Sequence, residues 1–302
     1  MKKISILLRE LRAEFLPASV MPVFLGTAVA YARTGRFDGP AFGLTLAGVA
    51  LIHLGTNVSN DYFDHRSGGD DLNTRFVRPF TGGSRVIQER LLSPRAVLAL
   101  SIALLSLAVA VGAVLAATRG PLIIVLGAIG IASGLFYVAP PLRLAARGFG
   151  EVFIGINFGV LCALGAHYVQ TGTATWECFV ASLPLAVLIA EVVFINEFQD
   201  MEADALVGKR TLVVRLGLRR ASRIYGPIAA AAFLPVVAGA AAGILPLHTV
   251  VALAALPLSA RADAIVKRSF DRPKELASAN ALTVAAHALT GALLCAAYLV
   301  AS

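Results

Sequence analysis

Nine apolar runs dominate the chain, at about 15–32, 40–60, 96–117, 121–138, 150–170, 178–198, 224–241, 245–266 and 278–300. A helix needs roughly 20 such residues to cross a bilayer. In lipid the backbone must satisfy its own hydrogen bonds, which leaves runs of this length helical. The composition agrees, with 58% hydrophobic and 15% charged residues, where soluble domains carry about 25% charged. A soluble helical protein would need a polar face on each helix, and most of these runs have none. The expected fold class is therefore an all-α integral membrane protein of nine transmembrane helices, built as a single domain over residues 1–302. No secretory signal is expected, because Arg9, Glu10, Arg12 and Glu14 interrupt the short apolar stretch after Lys2 and Lys3.

Charge sets the topology. Of the 26 Lys and Arg, only Arg33, Arg36 and Arg119 fall outside one alternating set of loops. Lys and Arg are retained on the cytoplasmic side. The N-terminus and the long polar loops are thus expected to be cytoplasmic, in a multi-pass protein of the plasma membrane surrounded by lipid bilayer. The net charge of +8 reflects this topology and some attraction for anionic lipid or substrate. No nucleic-acid partner is needed to explain it. Cys162, Cys178 and Cys295 show no metal spacing or pairing pattern, and the five histidines form no zinc or haem constellation.

Two loops, about 61–95 and 199–223, hold most of the polar residues, and each follows a run that ends in Asn and Asp. Asn57, Asp61 and Asp64 are spaced i, i+4, i+7, and Asn196, Asp200 and Asp204 are spaced i, i+4, i+8. Each set falls on one helix face. Recurrence of the pattern suggests a duplication with halves at about 1–145 and 146–302. Facing carboxylates at a membrane surface repel unless a cation joins them. Oxygen ligands without Cys or His favour Mg2+, which takes one or two carboxylates and bridges to phosphates. With Arg66, Arg78, Lys209 and Arg210 nearby, the arrangement reads as a diphosphate clamp. Helix capping alone is the competing explanation, and two matching clusters weigh against it.

At these residues the chain resembles the UbiA family of intramembrane prenyltransferases. Its two acidic motifs correspond to Asn60-Asp61-x-x-Asp64 and Asp200-x-x-x-Asp204. The next Asp of the first motif would fall on Gly68, and acidity resumes at Asp70 and Asp71. Pro17-x-x-Val20-x-Pro22, Tyr137-x-x-Pro140-Pro141-Leu142, Gly148-x-Gly150-Glu151 and Gly208-Lys209-Arg210-Thr211 extend the likeness over most of the chain. Asn57-x-x-Asn60-Asp61-Tyr62 is most similar to the branch that prenylates 1,4-dihydroxy-2-naphthoate for menaquinone, from which Gly82-Gly83-Ser84 departs. The resemblance implies a helical bundle around a cavity that takes an isoprenyl diphosphate and an aromatic acceptor. It implies Mg2+ held by Asn60, Asp61, Asp64, Asp200 and Asp204, with the four aspartates and Tyr137 acting in catalysis. It also implies that Asn57, Asn60, Arg66, Arg78, Arg143, Asn196, Lys209 and Arg210 bind substrate.

Several alternatives stand beside this. Tyr137 and Arg143 read equally as an interfacial aromatic and a topological charge. Glu151 and Glu191 are intramembrane carboxylates and so functional candidates, while Asn157, His167, Asn280 and His287 suit interhelical hydrogen bonds. Residues 67–90, rich in Gly and Arg, read as a lid. Other functions compatible with the same motifs are prenyl transfer to 4-hydroxybenzoate, a glycerol phosphate lipid or a porphyrin-type alcohol, and cyclisation of the prenyl diphosphate. A secondary transporter belongs to a different class, and its site would be expected at the membrane midplane.

Overall fold

The fold is that of a computed structural model, which describes residues 2–301. A short amphipathic helix, α1 (Lys2–Leu11), precedes α2 (Ala13–Thr34) and α3 (Gly39–Ser67). A four-residue turn of helix, α4 (Gly69–Leu72), and a long ordered loop lead to α5 (Pro94–Arg119) and α6 (Leu122–Leu135). Then come α7 (Gly150–Thr171), α8 (Trp176–Leu206), α9 (Leu212–Leu216), α10 (Leu218–Ala241), α11 (Leu247–Ser269) and α12 (Pro273–Val300).

Eight of these helices are long and apolar enough to cross a membrane. The expectation of nine full spans is corrected at α6, whose 14 residues reach about 21 Å at 1.5 Å per residue, short of a hydrocarbon core of roughly 30 Å. Pro121 starts it, and the chain leaves the helix at Phe136 to run through Tyr137 and Pro140-Pro141 toward the polar end of the bundle. Local chemistry sets the other ends as well. Asp38 caps α3 by accepting from the Ala41 N–H, Ser93 caps α5 and Thr175 caps α8.

The helices close into a ring in which α12 packs against α2 as well as α8 and α11. Glycine permits the closest crossings. A Cβ on Gly26 of α2 would lie 2.0 Å from the Ala163 carbonyl oxygen of α7, and one on Gly159 would lie 2.4 Å from the Ala186 Cα of α8. Between α2, α8 and α12 sits an apolar core of Leu25, Leu185, Leu294 and Tyr298. Within α7 the stretch Ile156–Leu161 winds as π-helix, a local widening that is frequent at functional sites. Ile102, Leu107, Val114, Ile124 and Val251 point outward, as a surface solvated by lipid requires. A cavity of about 750 Å³ lies between α3, α5, α6 and α7, walled mainly by apolar side chains such as Ile52, Ile131, Phe158 and Leu161.

The two ends of the bundle differ. At one, Arg33 pairs with Glu177 at 2.9 Å, and Asp38 with Arg119. The other gathers the ends of α3 and α8, the loop 73–93 and the start of α12.

Candidate active site

The last three turns of α3 carry Asn57, Asn60, Asp61 and Asp64. Gly68, in the left-handed region at φ 80°, stops the helix. The chain then turns back through α4, and Asp70 is buried beside Asp61 while Asp71 stays exposed, 3.7 Å from His65. Asp70 is thus the carboxyl of this turn that the chain brings back beside Asp61. Burial, with Asp64 and Asp61 close by, holds its carboxyl well above the usual range.

The loop after α4 covers this end. The Ser84 N–H donates to Asp61 Oδ2 at 2.9 Å. Gly83 lies so close that a Cβ there would be 2.9 Å from Asp61 Oδ1 and 3.3 Å from Asp70 Oδ2. Arg85 donates to the Asp70 carbonyl. Arg12, itself in the left-handed region, brings its guanidinium to 3.9 Å from Asp61. From α1, Glu10 accepts the Ser84 hydroxyl at 2.6 Å, and Arg9 binds the Ser84 carbonyl at 2.8 Å. Burial and the neighbouring Asp61 push the Glu10 carboxyl up to about 8.

The second acidic end belongs to α8. The Asn73 amide, from the same loop, donates to Asp200 Oδ1 at 2.6 Å. Lys209 joins the two ends, its Nζ 3.3 Å from Asp204 Oδ1 and 3.9 Å from Asp64 Oδ2. Burial opposes the charge on Lys209, but Asp204 and Asp64 outweigh it and hold the ammonium well above its usual range. Tyr137 and Arg143 line a small pocket with Phe63, Asp64, Ser67 and Lys209. Burial, reinforced by Glu197, raises the Tyr137 phenol.

The remaining sequence-derived residues make other contacts. Asn57 sits 2.9 Å from His53 Nε2, and His53 reaches the Ser19 hydroxyl of α2. Asn196 accepts from the Asn280 amide of α12 at 2.7 Å. Arg66 is exposed, 3.4 Å from the Tyr62 hydroxyl, and Arg78 is bound to Glu89 at 2.7 Å. Arg210 is exposed, and its backbone N–H donates to the Ala146 carbonyl. From sequence, Arg12 counts only as a topological charge, and Asn73, Ser84 and Arg85 only as part of the 67–90 lid. The glycine pair Gly82-Gly83, both at positive φ, was the one signal of close backbone approach.

The donor set suits a hard divalent cation: five carboxyls and the buried Asn60 Oδ1, which has no protein partner. Among the described residues no three His, Cys, Asp or Glu side chains stand close enough to hold an ion by themselves. The oxygen donors fit Mg2+, which takes one or two carboxylates and keeps part of its coordination for water and phosphate.

Residues 19–284 match the UbiA prenyltransferase family. The chain belongs to that family. As a prenyltransferase it is 34% identical over 255 residues to the 1,4-dihydroxy-2-naphthoate octaprenyltransferase of Mycobacterium tuberculosis, covering 83% of this chain and 82% of that one. It is 29% identical to the 2-carboxy-1,4-naphthoquinone phytyltransferase of Synechocystis, covering 93% and 88%. Among solved structures, a UbiA homologue from Aeropyrum pernix superposes with a TM-score of 0.69 at 19% identity, over 93% and 96% of the two chains. A homologue from Archaeoglobus fulgidus bound to DMAPP and Mg2+ gives 0.65 at 18%, over 95% and 99%. At that identity these two establish the prenyltransferase's fold.

Proposed function

We propose that this prenyltransferase moves a prenyl group from an isoprenyl diphosphate to an aromatic acceptor, 1,4-dihydroxy-2-naphthoate, at the acidic end of the bundle. The observation that carries the reading is the meeting of the two acidic helix ends across Lys209. Acceptor choice is supported by the names of the two relatives above, a 1,4-dihydroxy-2-naphthoate octaprenyltransferase and a 2-carboxy-1,4-naphthoquinone phytyltransferase. The acidic end faces the cytoplasm of a plasma membrane in this reading, in keeping with the Lys and Arg distribution. The chain is one domain of two related halves.

Asp61, Asp64, Asp70, Asp200 and Asp204, with Asn60, are the residues that would hold Mg2+. Bound there, the ion supplies positive charge to a leaving diphosphate. Lys209 and Arg143 face the same space as Asp64 and Tyr137, and would hold the phosphate oxygens. The allylic carbon–oxygen bond breaks with its electron pair going to diphosphate. The carboxylate-bearing ring carbon then bonds to the allylic carbon, and its bond to the carboxylate breaks with the electron pair returning to the ring as carbon dioxide departs. Tyr137 turns an aromatic ring toward this space, suited to a passing allylic cation, and the apolar wall keeps water from capturing it. The apolar cavity between α3, α5, α6 and α7 is wide enough for an isoprenoid tail.

The test is acceptor-dependent prenyl transfer by purified protein, with and without Mg2+, beside Asp64→Ala and Asp200→Ala. Product with the naphthoate, lost without metal and in both variants, supports the reading. Release of diphosphate with no adduct moves it to cyclisation, and adduct formation only with 4-hydroxybenzoate moves it to another branch.

A further inference from the structure

A short polar chain runs from α2 into α3, two turns below Asp61. Its centre is the buried His53 of α3, whose ring stands edge-on to Phe158 of α7 with centroids 5.4 Å apart. His53 Nδ1 meets the buried hydroxyl of Ser19 on α2. His53 Nε2 meets the side-chain amide nitrogen of Asn57, one turn further along α3, at 2.9 Å.

Both ring nitrogens are engaged, and their partners fix which one carries the proton. An amide nitrogen only donates, so Asn57 donates and Nε2 accepts. A neutral imidazole has one N–H, which then stands on Nδ1 and donates to the Ser19 hydroxyl. The same order fixes the amide. With its nitrogen turned toward His53, its carbonyl oxygen is turned away from it. Among the described residues the Asn57 amide makes no other hydrogen bond. Asn57 stands one turn before Asp61 on the same helix face. The bond to Ser19 joins two helices, as buried polar groups in membrane bundles do. The bond to Asn57 lies within α3 and joins nothing further, so its effect is on the amide's orientation.

We propose that His53 is a positioning residue which, anchored by Ser19, holds the Asn57 amide with its oxygen rather than its nitrogen turned toward the acidic end. The inference rests on the reading of that end as a diphosphate site. An amide free to turn over would present donors and acceptor there interchangeably. Only the oxygen suits a hard cation or the waters it carries. The role parallels that of the outer groups that orient ligands around a metal.

Two measurements on the full chain in detergent test it. The first is the nitrogen NMR spectrum of histidine-labelled protein near neutral pH, with the His53 signals identified by their loss in His53→Gln. A protonated Nδ1 and a bare Nε2 are expected. A proton on Nε2 would overturn the inference without touching the functional reading. The second is calorimetric binding of Mg2+ with inorganic pyrophosphate, beside prenyl-transfer kinetics. His53→Ala frees the amide and should weaken binding by on the order of 10-fold. It should raise KM for the prenyl diphosphate by a similar factor and leave KM for the acceptor within about twofold. His53→Gln can accept from Asn57 with its oxygen and donate to Ser19 with its nitrogen, so its binding should recover to within about threefold of wild type. A merely interhelical role would lower the melting temperature of His53→Ala and leave binding unmoved, which would overturn the inference. So would an equal loss of binding in both variants. No pyrophosphate binding by the wild type would sink the diphosphate site itself and the inference with it.

Discussion

The two acidic helix ends share a spacing and differ in what holds them. On α3, Asp61 is gripped by backbone: the Ser84 N–H at 2.9 Å and the bare Cα of Gly83 packed against its carboxylate. On α8, Asp200 and Asp204 are held by side chains, the Asn73 amide and the Lys209 ammonium. Backbone groups are fixed by the fold, whereas a lysine with four rotatable carbons can follow its partner. The first end is therefore a rigid floor and the second an adjustable wall. One loop serves both, since Asn73 and Ser84 stand eleven positions apart on it. A recurring motif need not yield a recurring environment, because one loop decides what each occurrence touches.

The comparison can be broken at several points. The largest effect is expected for Lys209→Met, which strips both ends of their common cation. Loss of a preorganised charge at a site of developing negative charge costs on the order of 10²- to 10³-fold in rate. Turnover of an isoprenyl diphosphate measures it, and a loss under tenfold would mean that the two ends work without a bridge. Next comes Gly83→Ala. The position has φ +64° and the added carbon would press on Asp61, so strain of about 1–3 kcal/mol is expected, read as weaker Mg2+ binding and a lower Tm. Gly68→Ala is the control, because it has φ +80° with open space around it. It should lower Tm and spare metal affinity. Asn73→Ala follows, removing one hydrogen bond to a carboxylate worth about 1.5–3 kcal/mol. Its loss should show in KM for the diphosphate, and no change there would make Asn73 a mere loop anchor.

Much of this architecture was legible in the sequence, because the physics of a bilayer leaves little choice. Apolar runs of bilayer length gave the helices, and the i, i+4, i+7 period gave the face shared by Asn57, Asp61 and Asp64. The shortfall of α6 was hidden, because Tyr137 and Val138 look as apolar as a span although they belong to the turn beyond it. Within this end of the bundle, the carboxylates follow a helical period, while Tyr137, Arg143 and Lys209 are named from the motifs around them. Arg12, Asn73, Ser84 and Arg85 have no such period: they reach the carboxylates through the path of a loop, which long-range contacts decide. The basic residues divide for the same reason. Lys209 sits between the acidic ends, while Arg66 and Arg78 find Tyr62 and Glu89 at the rim. Proximity in sequence places a charge near a site and says nothing of which way it turns. Asp70 and Asp71 make the point at single-residue scale, since one turn of α4 buries the first and exposes the second.

The smallest expected effect sharpens the contrast from outside the acidic ends. Glu10 is fully buried, accepts from Ser84 and faces Asp61, and its carboxyl titrates at about 8. An unfolded glutamate titrates near 4.3. Below about pH 4 both states hold the proton, and Glu10 adds no pH dependence. Between that point and about pH 8 the unfolded chain has released its proton while the folded protein keeps it, so stability falls as pH rises. Glu10→Gln carries no titrating group there and can still accept the Ser84 hydroxyl. Its melting temperature in detergent should match the wild type at about pH 4–5 and exceed it by a few degrees at about pH 8. A constant difference across that range would mean that Glu10 is ionised throughout and that Arg12 and Arg9 pair with it more strongly than burial opposes it. The floor beneath Asp61 would then be held by charge as well as by backbone, and the distinction between the two acidic ends would narrow.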